Sequence, residues 1–343
     1  QLIPVMHGIS SGVKVKKKTK ALSISGQWIF YMQHGYLPWN VFQINQDWHD
    51  KVLQSFASDA VAINNLRDFI KRHPDSIRRI VFQNSIPFLK SLVETLTAEN
   101  QDALPEFINE IAEIISSTDK NKKHFSSKQK KEVKQKLWGM VLQFAASSER
   151  KLKSSPYSHR DIVLLLSNHL STQQLNSKKV KQFLSKNKIE TETLKQIIKE
   201  KDHKEKDSIK EEVSPKDLTK KEGKIKMDED GIYVSNAGIV LLHPFLNHFF
   251  KNLHLVQERN FTDVFSQMKA LYLLHYLATG NKSPGEHELV MAKVLCLFPL
   301  ENPVDNLIEL TEKELQEADN VLASAIGQWE ILKSTSPDGL REG

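Results

Sequence analysis

The stretch MKALYLLHYLATG, residues 268–280, decides the fold class. Met268, Leu271, Tyr272, Leu274, His275 and Leu277 follow a helical period and, with their neighbours, leave almost no polar face before Gly280 closes the segment. Such a helix has to be covered on all sides. The same period returns as a single apolar stripe at Leu315, Ala318, Leu322, Ala325, Trp329 and Leu332, which predicts an inward-facing Trp329. Earlier in the chain, Leu53, Phe56, Ala60, Ile63 and Ile70 make one stripe, and Val133, Leu137, Val141 and Phe144 another. Strand signals are nearly absent, since residues 232–234 are too short to found a sheet, and no fixed-period repeat is present. The expectation is an all-α fold of short packed helices.

Start and stop signals agree. Ser126 with Gln129, Ser283 with Glu286 and Thr311 with Glu314 have capping-box spacing, and Ser158 with Asp161 is a weaker relative. Pro87 and Pro105 sit where first-turn prolines belong. Together with Pro244, Pro299 and Gly280, these signals cut the chain into pieces and rule out one continuous helix. In His73-Pro74-Asp75, which is similar to the loop of chaperone J-domains, Ser76 and Ile77 lead straight into a helix, so Asp75 or Ser76 is read as its cap.

Charge is placed unevenly. The 343 residues carry a net +6, with 39% hydrophobic and 26% charged residues. Residues 1–24 read as a flexible basic lead and 25–194 as a helical N-terminal module. Residues 195–227 read as a polyampholyte linker, because 195–226 hold eleven lysines and eight acids with few large apolar residues. A denser helical module then occupies 228–343. Cys296 is the single cysteine, so no intrachain disulfide and no Cys-based zinc site can form. No run of 18 uncharged apolar residues offers a membrane span, the longest candidate, 289–300, being interrupted by Lys293.

The segment GIYVSNAGIVLLHPFLNHFFKNLHL, residues 231–255, carries an Asn236-Ala237-Gly238 start, an aliphatic run and then His243-Pro244-Phe245. It resembles the signature of contractile injection system tape measure proteins. MKALYLLHYLATG (268–280), EHELVMAKVLCLFPL (286–300) and WEILKSTSPDGLR (329–341) follow in the family's order. Near the N-terminus GYLPWN (35–40) is similar to a further family block that usually has an aromatic where Asn40 stands. The family-motif residues are therefore Gly35, Leu37, Pro38, Trp39, Asn236, Ala237, Gly238, His243, Pro244, Phe245, Gly280, Trp329, Ser336, Asp338, Gly339, Leu340 and Arg341. The resemblance implies a structural, non-catalytic assembly component of a phage-tail-like particle. It would help set tube and sheath length, anchor to spike, tube or baseplate, assemble in the cytoplasm, and have a C-terminal end running beyond Gly343. Physically, Asn236 can cap a helix, Gly238 permits close approach, and Pro244 redirects the chain so that Phe245 faces elsewhere.

Other chemistries find little footing. His243, His248, His254, His275 and His287 lack HExxH spacing or a partnering carboxylate, which leaves satisfied core or surface histidines as the reading. Cys296 lies among Val294, Leu295, Leu297 and Phe298, a setting that suppresses the thiolate. No phosphate loop or nucleophile elbow is present, so no catalytic residue, cofactor or metal is assigned. Residues 120–136 hold eight lysines and one acid, which keeps a basic nucleic-acid-binding or regulatory module as the alternative. The aromatics Tyr36, Trp39, Phe245 and Trp329 read as core in preference to interface.

Overall fold

The computed structural model describes residues 22–41, 44–118, 126–147, 231–258, 260–306, 308–332 and 335–342, with isolated residues 178, 181, 182 and 185. The lead as far as residue 21, the 195–227 tract and the Ser158–Asp161 signal lie outside the described residues.

Seven helices are described before residue 148: α1 (Ile24–His34), α2 (Gln46–Ser58), α3 (Ala60–Arg72), α4 (Pro74–Gln83), α5 (Ile86–Thr97), α6 (Leu104–Thr118) and α7 (Ser127–Ser147). Their starts obey local chemistry. The Ser23 side chain accepts from the Gly26 N–H, Asn45 from Trp48 and Asp59 from Val61, while Ser126 and Gln129 bond each other's backbone N–H reciprocally. At α4 the cap reading was misplaced: the helix already begins at Pro74, whose missing N–H costs nothing there, so Asp75 lies in its first turn and Ser76 is buried. Trp28, packed edge-on against Phe56 at 5.7 Å, sits in a core to which all seven helices contribute, with α7 lying against α3, α4, α5 and α6.

After residue 230, a 3-10 turn (Ala237–Leu242) runs into α8 (His243–Asn252), then a two-residue hairpin, β1 (Val256–Gln257) and β2 (Asn260–Phe261). There follow α9 (Val264–Thr279), a 3-10 turn (Glu286–Leu289), α10 (Val290–Leu295), α11 (Glu312–Gln328) and α12 (Pro337–Glu342). As the sequence predicts, α9 is the hub: every residue from Ala270 to Leu277 is buried, and Gly280 closes the helix at φ +71°. The Thr311–Glu314 capping box is present. The Ser283–Glu286 box is not; the Gly285 N–H instead donates to Glu288 Oε2 at 2.7 Å, and Glu286 is used elsewhere. The described residues are thus all-α apart from one two-stranded hairpin.

Trp329 departs from its expected place. The apolar period runs on past Gln328, but the helix does not, and a 3-10 turn leaves Trp329 only half-buried against the second core. Trp329→Ala in the full chain should therefore lower unfolding stability by about 1–2 kcal/mol, below the ~3–5 kcal/mol of a fully buried aromatic. Urea unfolding reads this directly; a loss at the upper figure would mean the indole is as buried as the sequence stripe implies.

Candidate functional site

The two cores meet across a buried joint built from three ions. Arg79 on α4, Glu286 on the 3-10 turn and Lys293 on α10 are 1%, 0% and 1% exposed. Glu286 lies between the two cations, accepting from Arg79 Nε at 2.9 Å through Oε2 and from Lys293 Nζ at 2.6 Å through Oε1. Two positive charges against one would be costly in a dry interior unless other dipoles offset the excess. Backbone carbonyls do so. Arg79 donates to the Met32 and Gln33 carbonyls, at 2.7 and 2.9 Å, which belong to the last turn of α1, where orphan acceptors and the negative end of the helix dipole favour a cation. It also reaches the Glu301 carbonyl at 2.5 Å, while Lys293 donates to the carbonyls of Leu300 and Asn302, both at 2.9 Å. Burial pulls the Lys293 ammonium down to about 8, against the pull of the Glu286 carboxylate.

Neutral groups finish the joint. Gln83 Oε1 accepts from the Glu286 N–H at 2.9 Å and from the Tyr31 hydroxyl at 3.4 Å. Asn306 Nδ2 donates to the Phe82 carbonyl at 2.6 Å, and Gln135 Nε2 donates to Asn306 Oδ1. Gly35, the C-cap of α1 at φ +80°, fits against the ions so closely that a Cβ would lie 2.7 Å from Glu286 Oε1 and 3.0 Å from both Arg79 Nη2 and the Leu300 carbonyl oxygen.

The motif residues fall into three groups. Beside Gly35, the residues Leu37, Pro38 and Trp39 line a cavity of about 120 Å³ together with Tyr233, Asn236, His287 and Glu288, so two blocks nearly 200 residues apart in sequence share one wall. Asn236 is not a side-chain cap; its Nδ2 donates to the Glu288 carbonyl at 3.2 Å and ties the blocks together. Trp39 is 54% exposed, which corrects the core reading for this ring. A second group gathers at the end of α9. Arg341 donates to Asp319 at 2.6 Å, to Asp338 at 2.8 Å and to the Leu277 carbonyl, lies over the Tyr276 ring, and passes 3.5 Å from where a Cβ on Gly280 would stand. Ser336 Oγ accepts from the Gly339 N–H there, and Leu340 packs on the core, as does Trp329. The third group is the run from Ala237 to Phe245. Ala237, Gly238, His243 and Pro244 are exposed, Phe245 packs on the second core, and Pro244 stands in the first turn of α8 where the 3-10 turn gives way to it. A Cβ at Gly238 would meet open space, so close approach does not explain that glycine.

Arg79, Glu286, Lys293, Gln83 and Asn306 were not anticipated as a group. One signal was visible: Lys293 stands alone in the apolar run 289–300, and a lone buried lysine needs an anion. Cys296 is buried and its thiol is pushed up to about 12, a poor nucleophile at neutral pH. Among the basic residues at the start of α7, Lys130 pairs with Glu113 at 3.0 Å and Lys128 lies 3.9 Å above the Phe265 ring. Among the described residues no group of three or more His, Cys, Asp or Glu could hold a metal ion, and no helix is long and apolar enough to cross a membrane.

A family model described as contractile injection system tape measure protein matches residues 7–343. No curated protein and no solved structure gives a significant match.

Proposed function

The chain belongs to the contractile injection system tape measure protein family, and from that premise we propose that it is a compact anchoring piece of the particle, engaging a tube, spike or baseplate protein during assembly. It is a structural component of such a system and works with the system's other proteins. The observation that carries the anchoring role is the joint, because Arg79 and Glu286 pair across 207 residues of sequence. A continuous helix of this length would span ~510 Å at 1.5 Å per residue, whereas a chain tied back on itself cannot be that rod. Length would then be measured by sequence other than these packed helices.

The proposed partner surface combines Trp39 and Tyr233, which line the motif cavity, with Val240 and Leu241, which follow in sequence on the 3-10 turn. Trp39, Tyr233, Val240 and Leu241 are exposed apolar side chains next to the residues that match the family, and Leu241 is 63% exposed. Partly exposed aromatics with aliphatic neighbours suit a protein partner better than nucleic acid, which would call for arginine forks or stacked rings in a basic groove. On this reading the chain has no catalytic role, and it assembles in the cytoplasm before joining the particle. The test mixes the full chain with purified tube, spike and baseplate proteins of the same particle. One of them should be retained, and Trp39→Ser with Leu241→Ser should reduce that retention at least tenfold, a change of ~1.4 kcal/mol, while the helical spectrum stays unchanged. Retention of none of the three, or of one with undiminished affinity for the doubly substituted chain, would count against the anchoring role.

A further inference from the structure

Two imidazoles stand behind the joint, each with a buried ring nitrogen that lacks an ordinary hydrogen-bond partner. His275, at the centre of α9, is 1% exposed; neither ring nitrogen has a partner at ordinary hydrogen-bond geometry, and the Glu288 backbone is the polar group its ring approaches. His287 meets Tyr31 of α1 at right angles, with ring centroids 5.6 Å apart, and its Nδ1 is also buried and unpaired. Room for that ring comes from Gly285, where a Cβ would lie 2.6 Å from His287 Cε1. His287 also lines the cavity that holds Leu37, Pro38 and Trp39. Of the five histidines read as satisfied core or surface groups, His248 meets Asn252 at 3.2 Å, whereas the ring nitrogens of His275 and Nδ1 of His287 depart from that expectation.

Burial favours the neutral form of the pair, and the carboxylates nearby pull the other way. Glu286 and Glu288 share its turn, His49 of α2 and Tyr31 of α1 face it from the first core, and Arg79 of α4 and Lys293 of α10 stand behind Glu286. Glu286 is already held between two cations. That leaves Glu288, whose Oε2 accepts from the Gly285 N–H, as the carboxylate free to balance two imidazolium charges. Burial lowers the pKa of both histidines below 6.5, and the Glu288 carboxylate, joined by Glu286 at His287, opposes this only in part.

We propose that acidification opens the joint: protons on His275 and His287 draw water into the motif cavity and release segment 35–41 from the second core. The sign follows from linkage. A histidine whose folded pKa lies below its unfolded value contributes stability that is complete above 6.5 and is lost as pH falls through the folded value. Each linked proton steepens the open-to-closed ratio by about tenfold per pH unit, so two protons allow up to about a hundredfold.

The experiment uses the full chain with Asn65→Cys on α3 and Ala323→Cys on α11, both exposed positions, carrying spin labels; the native Cys296 is buried and stays unlabelled. Distance distributions and helical circular dichroism are followed from about pH 7.5 to about pH 5, the range in which histidine changes charge. A longer second distance should grow in reversibly with helix content retained. His287→Phe keeps a ring against Tyr31 and should cut the steepness to about tenfold per unit or less. Adding His275→Phe should abolish the pH response, and if that variant does not fold, the single His287→Phe comparison still decides. A single distance down to about pH 5, opening accompanied by loss of helix, or unchanged steepness in His287→Phe would each overturn the proposal.

Discussion

Glu286→Gln should lower the unfolding free energy of the full chain by about 3–5 kcal/mol, the range for leaving buried charge unpaired. The substitution keeps the side chain's size but removes the anion that Arg79 and Lys293 share, so two cations remain with carbonyls alone. Chemical denaturation measures the loss, and a midpoint within error of the parent would show that the carbonyls suffice. Pairing Glu286→Gln with Lys293→Met should recover part of the loss, because the second variant withdraws one orphaned cation. The pH dependence has a defined sign. Lys293 titrates at about 8 in the folded chain against 10.5 unfolded, so between those values the unfolded chain holds the proton that the folded one has released. The Lys293 contribution to stability therefore rises with pH across that window and is smallest below about 8. A buried ion group of this kind is weak evidence of net stability, and fixing one register between two packed bodies is its better-attested use.

Gly35→Ala should cost about 3 kcal/mol, nearly as much, for two reasons that act together. A non-glycine residue at φ +80° loses about 1–2 kcal/mol from backbone strain alone. Its methyl group would also press on Glu286 Oε1, Arg79 Nη2 and the Leu300 carbonyl, disturbing charged hydrogen bonds worth about 1.5–3 kcal/mol each. Glycine at the C-cap of another helix provides the control. Gly280 has a similar φ, +71°, but only the flexible Arg341 side chain lies near its Cβ position, so Gly280→Ala should show the strain with little of the second effect. Equal losses at the two positions would mean that the ions tolerate the methyl group.

Helices were legible where one residue type answers one local need. Ser126 with Gln129, Thr311 with Glu314, Pro87 and Gly280 are local signals, and each appears in the fold as the sequence predicts. The covered state of α9 was legible because eight successive residues cannot all be buried on one face. The joint was not legible, since its members come from positions 35, 79, 83, 286, 293 and 306 and no periodicity links them. Glu286 even satisfied the spacing of a capping box, and a local explanation displaced the distant one. Trp329 failed for the opposite reason, the apolar period outlasting the helix that should have carried it. Family-motif residues were identified by resemblance, but their grouping around Gly35, Arg341 and the 237–245 run depends on tertiary contacts.

The long separation between Arg79 and Glu286 also sets a schedule. During synthesis at ~5–20 residues per second, the 207-residue separation takes roughly 10–40 s to emerge, and through that interval Arg79 has the α1 carbonyls of Met32 and Gln33 but not its carboxylate. The surface of the first core that will hold the joint stays wet and charged until residue 286 arrives, and Asn302 and Asn306 must follow before Lys293 and Phe82 find their last bonds. A chain that has not yet extended past residue 288 thus cannot present the finished motif cavity, because Asn236, His287 and Glu288 form one of its walls. Synthesis past residue 288 is thereby written into the shape of the surface, and a partner that reads that surface would bind only copies that extend at least that far.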